Sequence, residues 1–86
     1  MKSQSYSVTT TRVKIVDADN INRQIYIHAI GNGVVYIGGA DVTSTNGMLT
    51  EKHAVPFEMF LPASEELYAI TATGIQEVRV LTPSQD

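Results

Sequence analysis

The 86-residue chain contains no cysteine and no tryptophan. Without cysteine it has no disulfide staples, no thiolate nucleophile and no zinc site built on thiolates. No apolar run approaches the roughly 20 residues that span a bilayer, and the first residues lack the apolar stretch of a secretory signal. We therefore expect no membrane partner, and a protein that stays in the cytoplasm where it is made until lysis.

Basic residues are also scarce, since six Lys and Arg against nine Asp and Glu give a net charge of −3. Proteins that bind DNA or RNA usually carry a basic face, so nucleic acid is not an expected partner. In so short a chain, apolar burial barely exceeds the entropy lost on ordering. We expect neighbouring molecules to add stability, through a homo-oligomer or a docked partner.

The sequence offers little for catalysis, because His28 and His53 are its two histidines. His28 alternates with core positions of a predicted strand, and His53 lies in a polar stretch that we expect to be solvated. An enzymatic alternative would require His28 to meet Asp17 or Asp19. The same two aspartates resemble the start of a calcium loop, but Asn22 and His28 stand where that loop needs glycine and glutamate. We predict no catalytic residue, no cofactor and no metal site.

Six segments are rich in β-branched residues or alternate between apolar and polar, which is typical of strands. They are residues 6–16, 23–30, 34–37, 54–61, 67–72 and 75–81. Asn32-Gly33 and Thr73-Gly74 predict hairpins between the second and third and between the last two strands. We predict an all-β fold, a small single-domain antiparallel β-sandwich or barrel of about six strands.

The predicted domain covers residues 11–82, between an N-terminal arm at 1–10 and a C-terminal tail at 83–86. The Ser/Thr-rich arm is either a frayed terminus or, as we favour, a strand that adds to a neighbour. Residues 40–47 form a long polar connection with a second Asn-Gly, typical of a contact surface. From these two segments and the residues that follow, we predict a partner-binding set: Tyr6, Val8, Asp41, Thr43, Met48 and Leu49.

The run VYIGGADVT at residues 35–43 precedes Asn46-Gly47, and LYAI at 67–70 precedes VRVL at 78–81. In this pattern, which spans residues 25–81, the chain resembles small structural proteins of tailed bacteriophages. The resemblance is one of strands and turns and carries over no active residue. It implies a virion protein assembled in the host bacterial cytoplasm: a capsid decoration protein that binds and stabilises the lattice of the major capsid protein. A tail or head-fibre accessory protein, bound to another virion protein, is the near alternative.

A carbohydrate-binding β-sandwich module is a hypothesis of another class. A small core has no room for all of the aromatic side chains, so Tyr26 or Tyr36 is free to stack on a sugar ring. The absence of tryptophan, the commonest stacking residue, counts against this function.

Overall fold

The computed structural model describes residues 2–31, 33–51 and 57–82. Asn32 of the predicted hairpin, His53 and the predicted tail at 83–86 lie outside the described residues. Within the described part of the chain there are eight strands and no helix. The sequence from Pro62 to Glu66 permits one turn of helix, but this segment forms a non-helical turn, in which Ser64 has a left-handed φ of 71°.

The strands form two antiparallel sheets of four, so the predicted all-β sandwich is confirmed with more strands than expected. Sheet A has the order β1-β8-β3-β6, and sheet B has the order β2-β7-β4-β5. The strands are β1 (Lys2–Val8), β2 (Val13–Val16), β3 (Arg23–Ala29), β4 (Val34–Gly38), β5 (Met48–Glu51), β6 (Phe57–Leu61), β7 (Leu67–Ile70) and β8 (Gln76–Thr82).

The additional strands come from two places in the chain. The single strand predicted over residues 6–16 is wrong, because β1 lies in sheet A and β2 lies in sheet B. Residues 48–51, expected at the end of a loop, pair with β4 as β5. The segment expected to be an N-terminal arm is the edge strand of its own sheet, paired with β8 from Lys2 opposite Thr82 to Val8 opposite Gln76.

The strand pairs are nested along the chain. β1 pairs with β8, β2 with β7, β3 with β6 and β4 with β5, so the chain resembles one long hairpin whose tip is the β4–β5 turn. This hairpin is rolled up, because β3 also pairs with β8 and β4 also pairs with β7. The arrangement is a jelly roll, the eight-stranded sandwich of two Greek keys.

Both predicted hairpins are wrong. β3 and β4 lie in different sheets, and so do β7 and β8. A hairpin was impossible because both sides of β3 are occupied by β6 and β8, and both sides of β7 by β2 and β4. The amide end of the Gln76 side chain packs against Gly31 and Gly33, where Cβ atoms would otherwise lie, and the Gly33 N–H donates to Oε1 of Gln76 at 2.9 Å.

The core between the sheets is aliphatic. Its alternation matches the sequence prediction on β3, where Ile25, Ile27 and Ala29 point inward, and on β8, where Val78 and Val80 are buried. The remaining members are Val8, Ile15, Val16, Val35, Ile37, Leu61, Leu67 and Ala69. No aromatic side chain in the described residues is fully buried, although Tyr6 packs against the edge of the core.

Arg23, at the start of β3, is the one charged side chain in this interior among the described residues, with 4% of its surface exposed. Its Nη1 donates to the carbonyl of Asp17 at 2.9 Å, and its Nη2 donates to the carbonyl of Glu65 at 3.3 Å. One guanidinium therefore joins the loop after β2 to the loop before β7. Nothing in the local sequence around Arg23 distinguishes it from an exposed strand residue.

We predict that Arg23→Lys lowers the free energy of unfolding by about 1–3 kcal/mol, because an ammonium cannot match the two-armed guanidinium and leaves a buried carbonyl unpaired. Arg12→Lys is the matched control. Arg12 is exposed and makes one hydrogen bond, from Nη1 to the Ala40 carbonyl at 2.8 Å, so we expect a change below about 0.5 kcal/mol. Urea unfolding measures both, and equal losses would contradict the role of Arg23.

Candidate interaction surfaces

The loop between β4 and β5, residues 39–47, is built around one buried side chain. Val42 points into the domain, while its N–H donates to the Gly39 carbonyl at 3.0 Å. The N–H of Gly47 donates to the Thr43 carbonyl at 3.0 Å and closes the loop. A Cβ on Gly47 would lie 2.6 Å from Cβ of Tyr36 and 2.9 Å from Cγ2 of Val42, so close packing requires this glycine.

The polar side chains of the loop bond largely to one another. The Thr43 N–H donates to Oδ1 of Asn46 at 2.7 Å, and Nδ2 of Asn46 donates to the Asp41 carbonyl at 3.3 Å. The hydroxyls of Thr43 and Thr45 are 2.9 Å apart and share a hydrogen bond. These bonds satisfy the loop internally, so the loop presents a defined shape to solvent.

Two apolar side chains follow the loop on β5, the edge strand of sheet B. Met48 is 61% exposed and Leu49 is 52% exposed. Leu49 lies opposite Tyr36, and Tyr36 lies opposite Ile70 of β7, so an apolar row crosses the outer face of three strands. Met48 lies opposite the core residue Ile37, so it extends from the other side of β5 than Leu49 does. We name Asp41, Thr43, Met48, Leu49, Tyr36 and Ile70, which include both sides of this edge strand, the loop-β5 surface.

An open groove of about 600 Å³ continues this surface toward β2. Its walls are residues 10–12 on one side and Ala40, Val42 and Thr43 on the other, and Tyr68 and Ile70 also line it. Thr43 belongs both to the loop and to the groove, so the polar loop and the apolar row are continuous.

The predicted binding residues divide between two edges of the sandwich. Asp41 and Thr43 are exposed in the loop that precedes exposed Met48 and Leu49, so these four residues lie at the same edge of sheet B, with Met48 and Leu49 on opposite sides of β5. Val8 was wrongly predicted as a contact, because β1 pairs within its own sheet and turns this side chain into the core, where none of its surface is exposed.

Tyr6 is half-buried on β1 and lies beside Ile15 and Val16 of β2, at the opposite edge from Met48. Its hydroxyl donates to Oε1 of Gln4. Burial raises the pKa of the Tyr6 hydroxyl, and the charge of Asp17 raises it further. Tyr6 is therefore separate from the loop-β5 surface.

A second surface is a groove of about 490 Å³ on the outer face of sheet A; the sequence had suggested Tyr26 as a sugar-stacking residue but not the groove around it. Tyr26, which is 39% exposed, lies opposite Leu81 there, and His28 lies opposite Arg79. Ser3 and Ser5 of β1 form the remaining side. The sequence does contain the alternate residues of β1, β3 and β8 that face outward here. Only the strand order shows that these three strands are neighbours, so that their outward residues form one surface.

The charges beside this groove are partly paired. Glu77 accepts a hydrogen bond from the Ser5 hydroxyl and another from Nε of Arg79 at 3.4 Å, and these bonds hold the pKa of the Glu77 carboxyl below its usual range, Ser5 having the larger effect. The pKa of Glu77 is therefore lower in the folded protein than in the unfolded chain. Its two hydrogen bonds stabilise the fold fully at a pH above the unfolded-state pKa, and this stabilisation is lost as the pH falls through the folded-state pKa.

The enzymatic alternative required His28 to meet Asp17 or Asp19. His28 lines the outer groove of sheet A, and its buried Nδ1 makes no hydrogen bond. Asp17 and Asp19 line a different, polar cavity of about 190 Å³ that Tyr6 and Arg23 also border. The histidine and the aspartates therefore do not share a pocket.

We predict that Gly47→Ala lowers the free energy of unfolding by about 1–3 kcal/mol, because the new methyl group overpacks Tyr36 and Val42. Gly39→Ala is the control in the same loop, since its Cβ would meet only Oδ1 of Asp41, at an ordinary 3.5 Å. Thermal and urea unfolding of the two variants provide the measurement. Equal free energies of unfolding for the two variants would contradict the close packing of Gly47 against Tyr36 and Val42.

Among the described residues, no three His, Cys, Asp or Glu side chains cluster as metal ligands, and no helix is long and apolar enough to cross a membrane. Comparisons of the chain with protein families, with curated proteins and with solved structures return no match.

Proposed function

We propose that this chain is a non-enzymatic virion structural protein of a tailed bacteriophage, a decoration protein that binds and stabilises the lattice of the major capsid protein. The observation that carries the proposal is the exposure of Met48 and Leu49 beside an internally bonded loop. The jelly roll supports it by analogy at the level of the fold, because the same architecture recurs in viral capsid domains and also in lectins and cupins.

The loop-β5 surface has the composition of a binding site. Apolar side chains at the centre of an interface supply most of its energy, and a polar rim surrounds them. Here Met48 and Leu49 are the apolar anchors, while Asp41 and Thr43 provide the rim. Because the loop is already held by its own hydrogen bonds, little conformational entropy is lost when a partner binds.

The same surface would serve a tail or head-fibre accessory protein bound to another virion protein. A homo-oligomer is part of the proposal in either location, since a small cysteine-free domain gains stability from its neighbours. The location is decided by whether the protein binds to heads or to tails.

We predict that Met48→Asp and Leu49→Asp each weaken binding to heads by roughly tenfold or more, because a carboxylate replaces an apolar anchor that the contact would desolvate. Ile75→Asp is the control, since Ile75 is 69% exposed on the connection between β7 and β8. Purified variants are sedimented with heads that lack the protein, and the heat resistance of the heads is scored.

Saturable binding by the unmodified protein and by Ile75→Asp, but not by the two β5 variants, is the expected result. If all variants bind heads equally, the loop-β5 surface is not the contact with the capsid. Saturable binding to tails in place of heads would favour the accessory protein.

A carbohydrate-binding module is the second candidate, favoured by the groove on sheet A. An exposed tyrosine beside Arg79, His28 and two serine hydroxyls combines a stacking ring with hydrogen-bond donors, as a sugar site requires.

For this candidate we predict that Tyr26→Ala reduces glycan binding by roughly tenfold, the loss expected when a stacking ring is removed. Phe60→Ala is the control, because Phe60 is exposed on the outer face of the same sheet but lies outside the groove. A glycan array followed by titration calorimetry provides the measurement. No binding by the unmodified protein would reject the function.

A further inference from the structure

The two sheets have four edge strands, and three of them carry features that discourage pairing with another chain. β2 is four residues long, with a break in register between Lys14 and Val16. Lys14 there contacts Asp17 at 3.4 Å and Glu66 at 3.2 Å. β5 is also four residues long, and β6 has five residues followed by Pro62. Short length, charge, proline and irregular register are the usual protections of an edge.

β1 has fewer of these protections, since its one charged residue is Lys2 at its first position. It has seven residues and pairs with β8 without a break in register. From Ser3 to Val8 it contains no charged residue and no proline. Its outer edge is therefore a long and regular row of backbone donors and acceptors, the kind of edge to which another strand adds.

We propose that β1 is the contact through which two copies of this chain associate, by antiparallel pairing of β1 with β1 about a two-fold axis at Ser5. The two A sheets then become one continuous sheet of eight strands. This inference deepens the homo-oligomeric part of the proposed function, on which it rests, by naming the contact.

The alternation of side chains determines the register. Directly opposite residues point to the same face of a sheet, and both copies must turn their cores to the same side, so odd positions must face odd positions. Among the registers that satisfy this rule, the one that pairs all seven residues has Ser5 opposite Ser5. It places Ser3 opposite Ser7, Gln4 opposite Tyr6 and Lys2 opposite Val8.

The side chains suit this self-pairing. No like charges meet, because each Lys2 lies opposite Val8 of the other copy. Serine hydroxyls face one another on the outer face, where cross-strand hydroxyl pairs are favourable. On the inner face, Gln4 and Tyr6 already share a hydrogen bond within one strand, and the same two groups meet across the axis.

The dimer also fits the rest of the molecule. β5 is the edge strand of sheet B remote from β2, so the proposed anchors Met48 and Leu49 remain free in both copies. Two such surfaces on one dimer increase the strength of attachment to a repeating lattice without any new contact.

The test uses the absence of cysteine from the chain, which allows a single thiol to report the register. In the proposed dimer the two Ser5→Cys positions are about 4.5–5.5 Å apart between Cα atoms, within the range of a disulfide. In the Ser3→Cys variant the two thiols do not face one another. The Ser3 positions of the two copies are displaced by four residues, or roughly 13 Å, along the strands. Ser3→Cys is thus the matched control.

We expect oxidised Ser5→Cys to form a covalent dimer on the order of tenfold faster than Ser3→Cys, because pairing raises the local concentration of the second thiol. A mixture of Ser3→Cys with Ser7→Cys should also cross-link, since these positions face one another. Non-reducing electrophoresis gives the rates. Equal rates for Ser5→Cys and Ser3→Cys would overturn the proposed register.

Analytical ultracentrifugation of the unmodified protein and of Ser5→Lys provides the second measurement. Two lysines would face each other at the axis, so we expect the dimer to weaken by roughly tenfold or more. Within one copy the new lysine lies beside Glu77 but directly opposite Arg79, so urea unfolding is used to check that the variant is folded. A protein that stays monomeric at all concentrations, or a dimer that Ser5→Lys leaves unchanged, contradicts the proposal. Neither measurement includes a capsid, so a failure here is distinct from a failure of head binding.

Discussion

Seven of the eight strands contribute aliphatic side chains to the space between the sheets, and the need to bury these side chains together governs the structure. The core contains Val, Ile, Leu and Ala and none of the described aromatic residues. Two sheets that face one another are the simplest arrangement that buries them. Among the described strands, six of the seven successive connections pass from one sheet to the other, and the first strand becomes a neighbour of the last.

Two polar side chains bond to the connections that cross between the sheets: half-buried Gln76 and buried Arg23. Gln76 fills the space beside Gly31 and Gly33, and its amide accepts from the Gly33 backbone. Arg23 donates to carbonyls of two separate loops. A buried polar group stabilises the fold only when it is hydrogen-bonded, and these contacts explain why amide, guanidinium and glycine occur at positions where strand patterns favour apolar residues.

An aliphatic core leaves the larger apolar side chains at the surface. Tyr26 is on the outer face of sheet A, and Met48 and Leu49 are on the edge of sheet B, so the two candidate surfaces lie on different sheets. The long edge of β1 is a third feature, and it differs in kind, because it offers backbone groups rather than side chains. The self-association that we propose for β1 and the partner binding that we propose for the loop-β5 surface therefore involve separate regions of the domain.

Alternation along the chain determined that the fold is all-β and which side chains of β3 and β8 point inward, because both are local properties of an extended backbone. The polar loop before Met48 and Leu49 was also found locally. The partner of each strand was decided only by the tertiary structure, since an Asn-Gly or Thr-Gly turn can join strands of one sheet or cross between two. For the same reason Val8 was misplaced and Arg23 and the groove on sheet A were missed. Their surroundings come from strands that are distant in sequence.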